Sequence, residues 1–189
     1  MRYADYYDCD ICNGKSVGMS LFVSGCPIRC DGCFNADIWD FNSGKEWTPE
    51  IEERFISLVG RDYIKRVTFV GGSPLCDENV CDVMRIIQKI RSRYPDKKIW
   101  VYTGYTWETI TNHIVVDDLV QTAIHNARLE VLNNIDVLVD GPFQLENKDL
   151  SLAFRGSSNQ RIIDVPKSLE TGHVVLYYED NDWNDIGWS

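Results

Sequence analysis

Residues 19–24, 67–70 and 99–102 are short apolar runs that each lead into a glycine (Gly25, Gly71 and Gly104), and helical stripes separate them. Such runs predict strands, and the stripes predict helices. Thr48 and Pro49 form a cap and a first-turn proline, after which Ile51, Phe55, Leu58 and Val59 recur on one face. Val80, Val83, Met84, Ile87 and Ile90 make a second stripe that stops before Pro95. Leu119, Val120, Ala123, Ile124, Ala127, Val131 and Leu132 make a third, which ends at Asn133 and Asn134. Further strands are expected at 135–139, 162–165 and 174–178. Strand, helix, strand in sequence requires right-handed crossovers and a largely parallel sheet, with ligands at the carboxyl ends of its strands. The glycines and several cysteines lie at those ends.

No repeat, low-complexity tract or linker interrupts this alternation, so residues 1–178 are expected to form one α/β domain. The tail, 179–189, holds four acidic residues and no basic one and is expected to be solvated or loosely packed. A chain of 189 residues that is 44% hydrophobic buries enough surface to fold without staples. Its net charge of −10 opposes attraction to nucleic acid or anionic lipid, so neither is expected as a partner. No apolar run reaches the ~18 residues of a membrane span. The first ten residues lack the pattern of an export signal, so a cytoplasmic location is expected.

Seven cysteines are odd in number, and a reducing compartment keeps thiols free, so spacing decides their role. Cys26, Cys30 and Cys33 follow the first expected strand at C-x3-C-x2-C, in a loop carrying Pro27, Arg29, Asp31 and Gly32. Three such thiolates can hold three irons of a [4Fe–4S] cube and leave the fourth iron open. Two other readings stand beside this one. Cys9, Cys12, Cys30 and Cys33 fit a C-x2-C…C-x2-C zinc pattern, which makes the chain a binding module. The loop cysteines can also be core filler, although their neighbours are polar.

The motif resembles that of the radical S-adenosylmethionine superfamily. Residues 17–35, 99–105, 136–141 and 154–161 are similar, in order and spacing, to the activases of anaerobic ribonucleoside-triphosphate reductase, across nearly all of 1–165. The resemblance implies an incomplete parallel (β/α) barrel, with a [4Fe–4S] cluster on Cys26, Cys30 and Cys33 and S-adenosylmethionine on its open iron. It also implies a low-potential electron donor and, as partner, the glycyl-radical subunit of the reductase. The runner-up readings are a different glycyl-radical activase or a small-molecule modifier of the same superfamily.

The resemblance also points to cofactor-binding positions. Gly71, Gly72 and Ser73 occupy a turn where the family receives the methionyl amine; the family pattern has an acid where this chain has Ser73, so an acid introduced there is expected to retain or tighten binding. As a plain sequence feature the same segment is a turn. Gly32, Cys33 and Phe34 become candidates for contacts near the adenine. Thr103 and Asp140, with Gly104, Tyr105 and Gly141, line the same mouth or merely close strands. Residues 155–161 carry two arginines that meet a carboxylate or form a surface turn. Cys76 and Cys81 read as incidental thiols or core, and His113, His125 and His173 show no ligand spacing.

Overall fold

The structure is a computed structural model that describes residues 1–112 and 118–177. His113, Tyr178 and the tail expected to be solvated lie outside the described residues. The strands are β1 (Arg2–Asp10), β2 (Gly18–Val23), β3 (Lys45–Glu46), β4 (Arg66–Gly71), β5 (Lys98–Tyr102), β6 (Val137–Asp140) and β7 (Arg161–Asp164). The helices are α1 (Pro49–Val59), α2 (Val80–Arg93), α3 (Trp107–Thr111), α4 (Leu119–Asn134) and α5 (Val165–Thr171). Among the described residues the strands form one sheet in the order β3-β1-β2-β4-β5-β6-β7. No helix among them is long and apolar enough to cross a membrane.

The expected parallel core is present: β2, β4, β5 and β6 pair in parallel. Both margins differ from the expectation, because β1 is antiparallel to β2 and to β3, and β7 is antiparallel to β6. The sheet is therefore mixed. The strand expected at 162–165 ends one residue early, since Asp164 caps Lys167 N–H at 3.2 Å and Pro166 follows as a helix-opening residue. The strand expected at 174–178 is corrected: residues 174–177 make a single bridge, Leu176 to Ile163. Val175 N–H is taken by the Ser168 hydroxyl at 2.8 Å, which removes a donor a strand would use.

β1 has no clean alternation in sequence. Register shifts after Tyr3 and after Tyr7 break its period of two. Tyr3 is buried even so, and Tyr6 packs edge-on against Phe55 of α1 at 5.5 Å between ring centroids. Two turns of ionic bonding tie the helices over this region: buried Glu52 on α1 accepts from Trp47 Nε1 at 2.9 Å and from Arg85 and Lys89 on α2.

Alternation along the central strands separates two faces. Met19, Leu21 and Val23, Val67 and Phe69, Ile99 and Val101, and Leu138 enter the large core under the helices. Trp100, Val137, Val139 and Ile162 form a smaller cluster on the other face, with Tyr102, Phe154 and Tyr177 against it. Because no helix among the described residues contributes to this second cluster, the face is free to line a cavity.

Arg66 anchors one end of that face. It is fully buried and pairs with Asp10 at 3.1 Å. It also donates to the carbonyls of Asp10 and Asn13 at 2.9 Å and of Lys15 at 3.3 Å, so the loop after β1 wraps around one guanidinium. Gly14 in this loop has φ +139°, and a Cβ there would lie 2.6 Å from Arg66 Cδ. Burial disfavours ionised Asp10, yet the Ser20 hydroxyl, the Cys12 amide and Arg66 together hold its carboxyl below the usual range.

Candidate functional site

β2 ends at Gly25, whose φ of +91° turns the chain into the cysteine loop. Gly25 N–H donates to Ile38 O at 2.8 Å and Cys26 N–H to Trp39 O at 3.0 Å, which pins both ends of the loop together. Within it Arg29 and Gly32 take positive φ, and Cys33 N–H donates to Cys30 O at 3.1 Å. The end of β4 is fastened to the same place. Gly72 N–H donates to Val23 O, and Ser73 N–H to Gly25 O, each at 2.8 Å. A Cβ on Gly72 would stand 2.3 Å from Gly25 O, so two strand ends touching through backbone require this glycine.

The three loop thiols are free and half-buried, and they line one cavity of about 590 Å³ together with Phe34, Gly71, Gly72, Thr103, Gly104 and Gly141. This volume is in the range of cofactor sites. Burial pushes the Cys30 thiol pKa up, the neighbouring Cys33 and Cys26 add to the rise, and the Phe143 amide opposes it. Asn35 N–H donates to Cys33 Sγ at 3.4 Å. Three half-buried thiols on one wall, with the Asn35 amide already on one of them, suit a shared cationic centre.

Among the described residues no three His, Cys, Asp or Glu side chains are grouped to hold one metal ion. A tetrahedral zinc site needs its sulfurs about 2.3 Å from a single ion, and the described side chains as placed do not present such a group. Cys9 is exposed on β1, and Cys12 meets the cavity from the loop around Arg66. A cube that takes each thiolate on a different iron has no such need for convergence.

Several expected contacts sit elsewhere. Asp140 is 1% exposed, and its carboxylate accepts from Arg161 Nε at 3.0 Å and Trp107 N–H at 2.7 Å. It fastens α3 to β6 and β7, and its neighbour Gly141 reaches the cavity instead. Arg161 also pairs with Glu108 at 2.8 Å and draws that carboxyl down to about 2, whereas Arg155 lines the cavity. Thr103 lines the cavity while its Oγ1 accepts Tyr105 N–H at 3.2 Å. Gly32 packs under Leu145 rather than on the cavity wall, and Phe34 stands in the mouth, edge-on to Phe143 with Lys148 over its ring. Cys76 is core, its thiol pushed up to about 12 by burial, and Cys81 is exposed on α2.

Ser73 departs furthest from expectation. It is 1% exposed, its Oγ has no partner, it is not among the residues lining the cavity, and the Asn79 amide donates to its backbone carbonyl and to Ser24 O. A carboxylate here would be buried without a cation. Ser73→Asp is thus expected to cost stability, by about 3 kcal/mol, read from the urea midpoint. An unchanged midpoint with tighter S-adenosylmethionine binding would restore the expectation from sequence.

Residues that sequence reasoning missed include Trp39, Tyr102, Phe143 and Phe154, all on the cavity wall. Tyr102 was signalled by strand alternation, being two residues from Trp100. The others arrive through loops and carry no local signal.

A family model described as a 4Fe-4S single cluster domain matches residues 12–163. The anaerobic ribonucleoside-triphosphate reductase-activating protein of Salmonella typhi is 41% identical over 162 residues, 85% of this chain and 96% of that protein. The proteins of that name from Vibrio cholerae and from enterobacteria phage T4 are 38% and 32% identical, each over 86% of this chain and over 97% and 93% of their own lengths. This chain belongs to the anaerobic ribonucleoside-triphosphate reductase-activating protein family. The matched 4Fe-4S segment begins at Cys12 and ends within β7, so it contains the whole cavity wall. All of β1 and all of α5 lie outside it. An iron–sulfur cluster in this family's domain calls for thiolate ligands, and the three cavity cysteines of the Cys26 loop are half-buried donors of that kind.

Proposed function

We propose that this protein is a radical S-adenosylmethionine activase that installs a glycyl radical on an anaerobic ribonucleoside-triphosphate reductase. The observation that carries the reading is the meeting of Cys26, Cys30 and Cys33 on one cavity wall at the carboxyl ends of parallel strands. These cysteines would hold the [4Fe–4S] cluster. When bound, the cluster would supply the electron and the open iron for reductive cleavage of S-adenosylmethionine, the chemistry from which a glycyl radical on the reductase would come.

The chain's own residues bind, orient and exclude water, as expected where a cofactor carries the chemistry. Gly71 and Gly72 present backbone to the cavity without side chains, which suits the methionyl amine. Phe34 in the mouth offers a ring to the adenine, and Thr103 a polar edge beside it. Tyr102, held by its hydroxyl to Phe154 O at 2.8 Å, and the aromatic cluster behind it keep the floor apolar. The helix-free face of the sheet supports an incomplete (β/α) barrel, whose open mouth admits a protein loop. A low-potential donor supplies electrons, in the cytoplasm.

The test is anaerobic. Reconstituted protein, dithionite, S-adenosylmethionine and the reductase of the same cell are expected to give 5′-deoxyadenosine, methionine and a glycyl doublet on the reductase by electron paramagnetic resonance. A doublet on another protein, or cleavage serving only a small molecule, would redirect the partner; an uncleaved cosubstrate with a fully reduced cluster would overturn the chemistry.

A further inference from the structure

Trp39 follows the short 3-10 turn Ala36–Ile38, and its carbonyl accepts Cys26 N–H, so its position is fixed against the first loop cysteine. Trp39 is one of the residues lining the cavity that Cys26, Cys30 and Cys33 also line, and no other tryptophan among the described residues does. Its Nε1–H is buried and has no acceptor in the protein. A buried N–H that faces no acceptor loses the hydrogen bond it made to water in the unfolded chain, which is sustained where a ligand supplies the acceptor.

The sulfur surroundings say which acceptor. Cys33 Sγ already receives Asn35 N–H at 3.4 Å, and Phe143 lines the same cavity beside Cys30. Cys26 has no such donor among the described residues, and Trp39 is tied to Cys26 by backbone. Anionic sulfur is the acceptor that this cavity would gather when loaded. Resting on the activase reading above, we infer that the Trp39 indole N–H is a hydrogen-bond donor to a sulfur of the bound cluster at its Cys26 corner, and that it raises the cluster's reduction potential. Donors to cluster sulfur favour the more negative, reduced state, so loss of one lowers the potential.

The experiment compares native protein with Trp39→Phe, which keeps a ring and removes the donor, and with Trp39→His, which returns an N–H. Each is reconstituted anaerobically and titrated potentiometrically by electron paramagnetic resonance without S-adenosylmethionine. Trp39→Phe is expected to keep its iron and, at a fixed poise, to lose roughly tenfold in the ratio of reduced to oxidised cluster, equal to about 59 mV for one electron. Trp39→His recovers part of the shift. Native protein labelled with indole-¹⁵N tryptophan is expected to show nitrogen coupling to the reduced cluster in electron–nuclear double resonance, which needs no variant to fold. An unchanged potential in Trp39→Phe, or a labelled native cluster without ¹⁵N coupling, overturns the inference and leaves the activase reading standing. An unchanged potential with weakened S-adenosylmethionine binding also overturns it, by assigning the donor to the cosubstrate. Native protein that takes up no cluster overturns both.

Discussion

Cys26→Ala, Cys30→Ala and Cys33→Ala are each expected to reduce bound iron from about four per chain to a small residue and to lower 5′-deoxyadenosine formation roughly a hundredfold or more. The physical reason is that each thiolate would hold a different iron of the cube, so the loss of one leaves an iron without its protein ligand. Cys76 is buried in the core and Cys81 is exposed on α2, so neither reaches the cavity. Cys12 does reach it, which makes Cys12→Ser the demanding control. That variant and Cys9→Ser are expected to keep native iron and sulfide. Iron lost from Cys12→Ser but kept in Cys26→Ala would move the cluster to a different set of ligands.

Arg66→Leu is expected to destabilise the fold by about 3–5 kcal/mol, the cost of leaving one member of a buried ion pair alone. Asp10 would keep a charge at 7% side-chain exposure, the Lys15 carbonyl would lose the Arg66 donor, and the Asn13 carbonyl would keep only the Thr68 hydroxyl. The loop that brings Cys12 and Asn13 to the cavity would loosen first. Urea denaturation checks the size of the effect. The double variant Asp10→Asn with Arg66→Leu is expected to lose less than the sum of the singles, because the stranded charge is gone. Asp10 also gives the native protein an acid limit. With its folded pKa lowered, the stability it contributes is present above the ordinary carboxylate range and is lost as pH falls through the folded value. Equal urea midpoints for Arg66→Leu and native protein would show that the loop holds without its anchor.

The parts of this architecture that could be read from sequence are those whose signal is local. Leu21, Phe69 and Val101 each sit in a short apolar run with a glycine close behind, so the central strands and their carboxyl ends were visible. The Cys26 loop was visible for the same reason, since all its thiols fall within eight residues. β1 was hidden because two bulges and three aspartates break its alternation, and its pairing partner lies in a different segment. Asp140 looked like a cavity residue because it ends a strand at the correct level. Only the fold brings Arg161 and the α3 amide to it and consumes its charge. Trp39 and Arg66 were illegible for a related reason: one is defined by an acceptor it lacks, the other by carbonyls far away in the chain. The strand expected at 174–178 failed where a serine hydroxyl took a backbone donor that no pattern of hydrophobicity records.

The split between the two faces of the sheet has a consequence for how this family diverges. Leu21 and Phe22, Phe69 and Val70, and Val101 and Tyr102 are adjacent pairs in which the first residue belongs to the helix-covered core and the second lines the cavity. Selection on folding therefore acts on one member of each pair and selection on the reaction acts on the other. Lineages can change the chemistry of the cavity wall at every second position while the layer beneath it stays constant, so relatives with modest overall identity can share one scaffold and differ in what it holds.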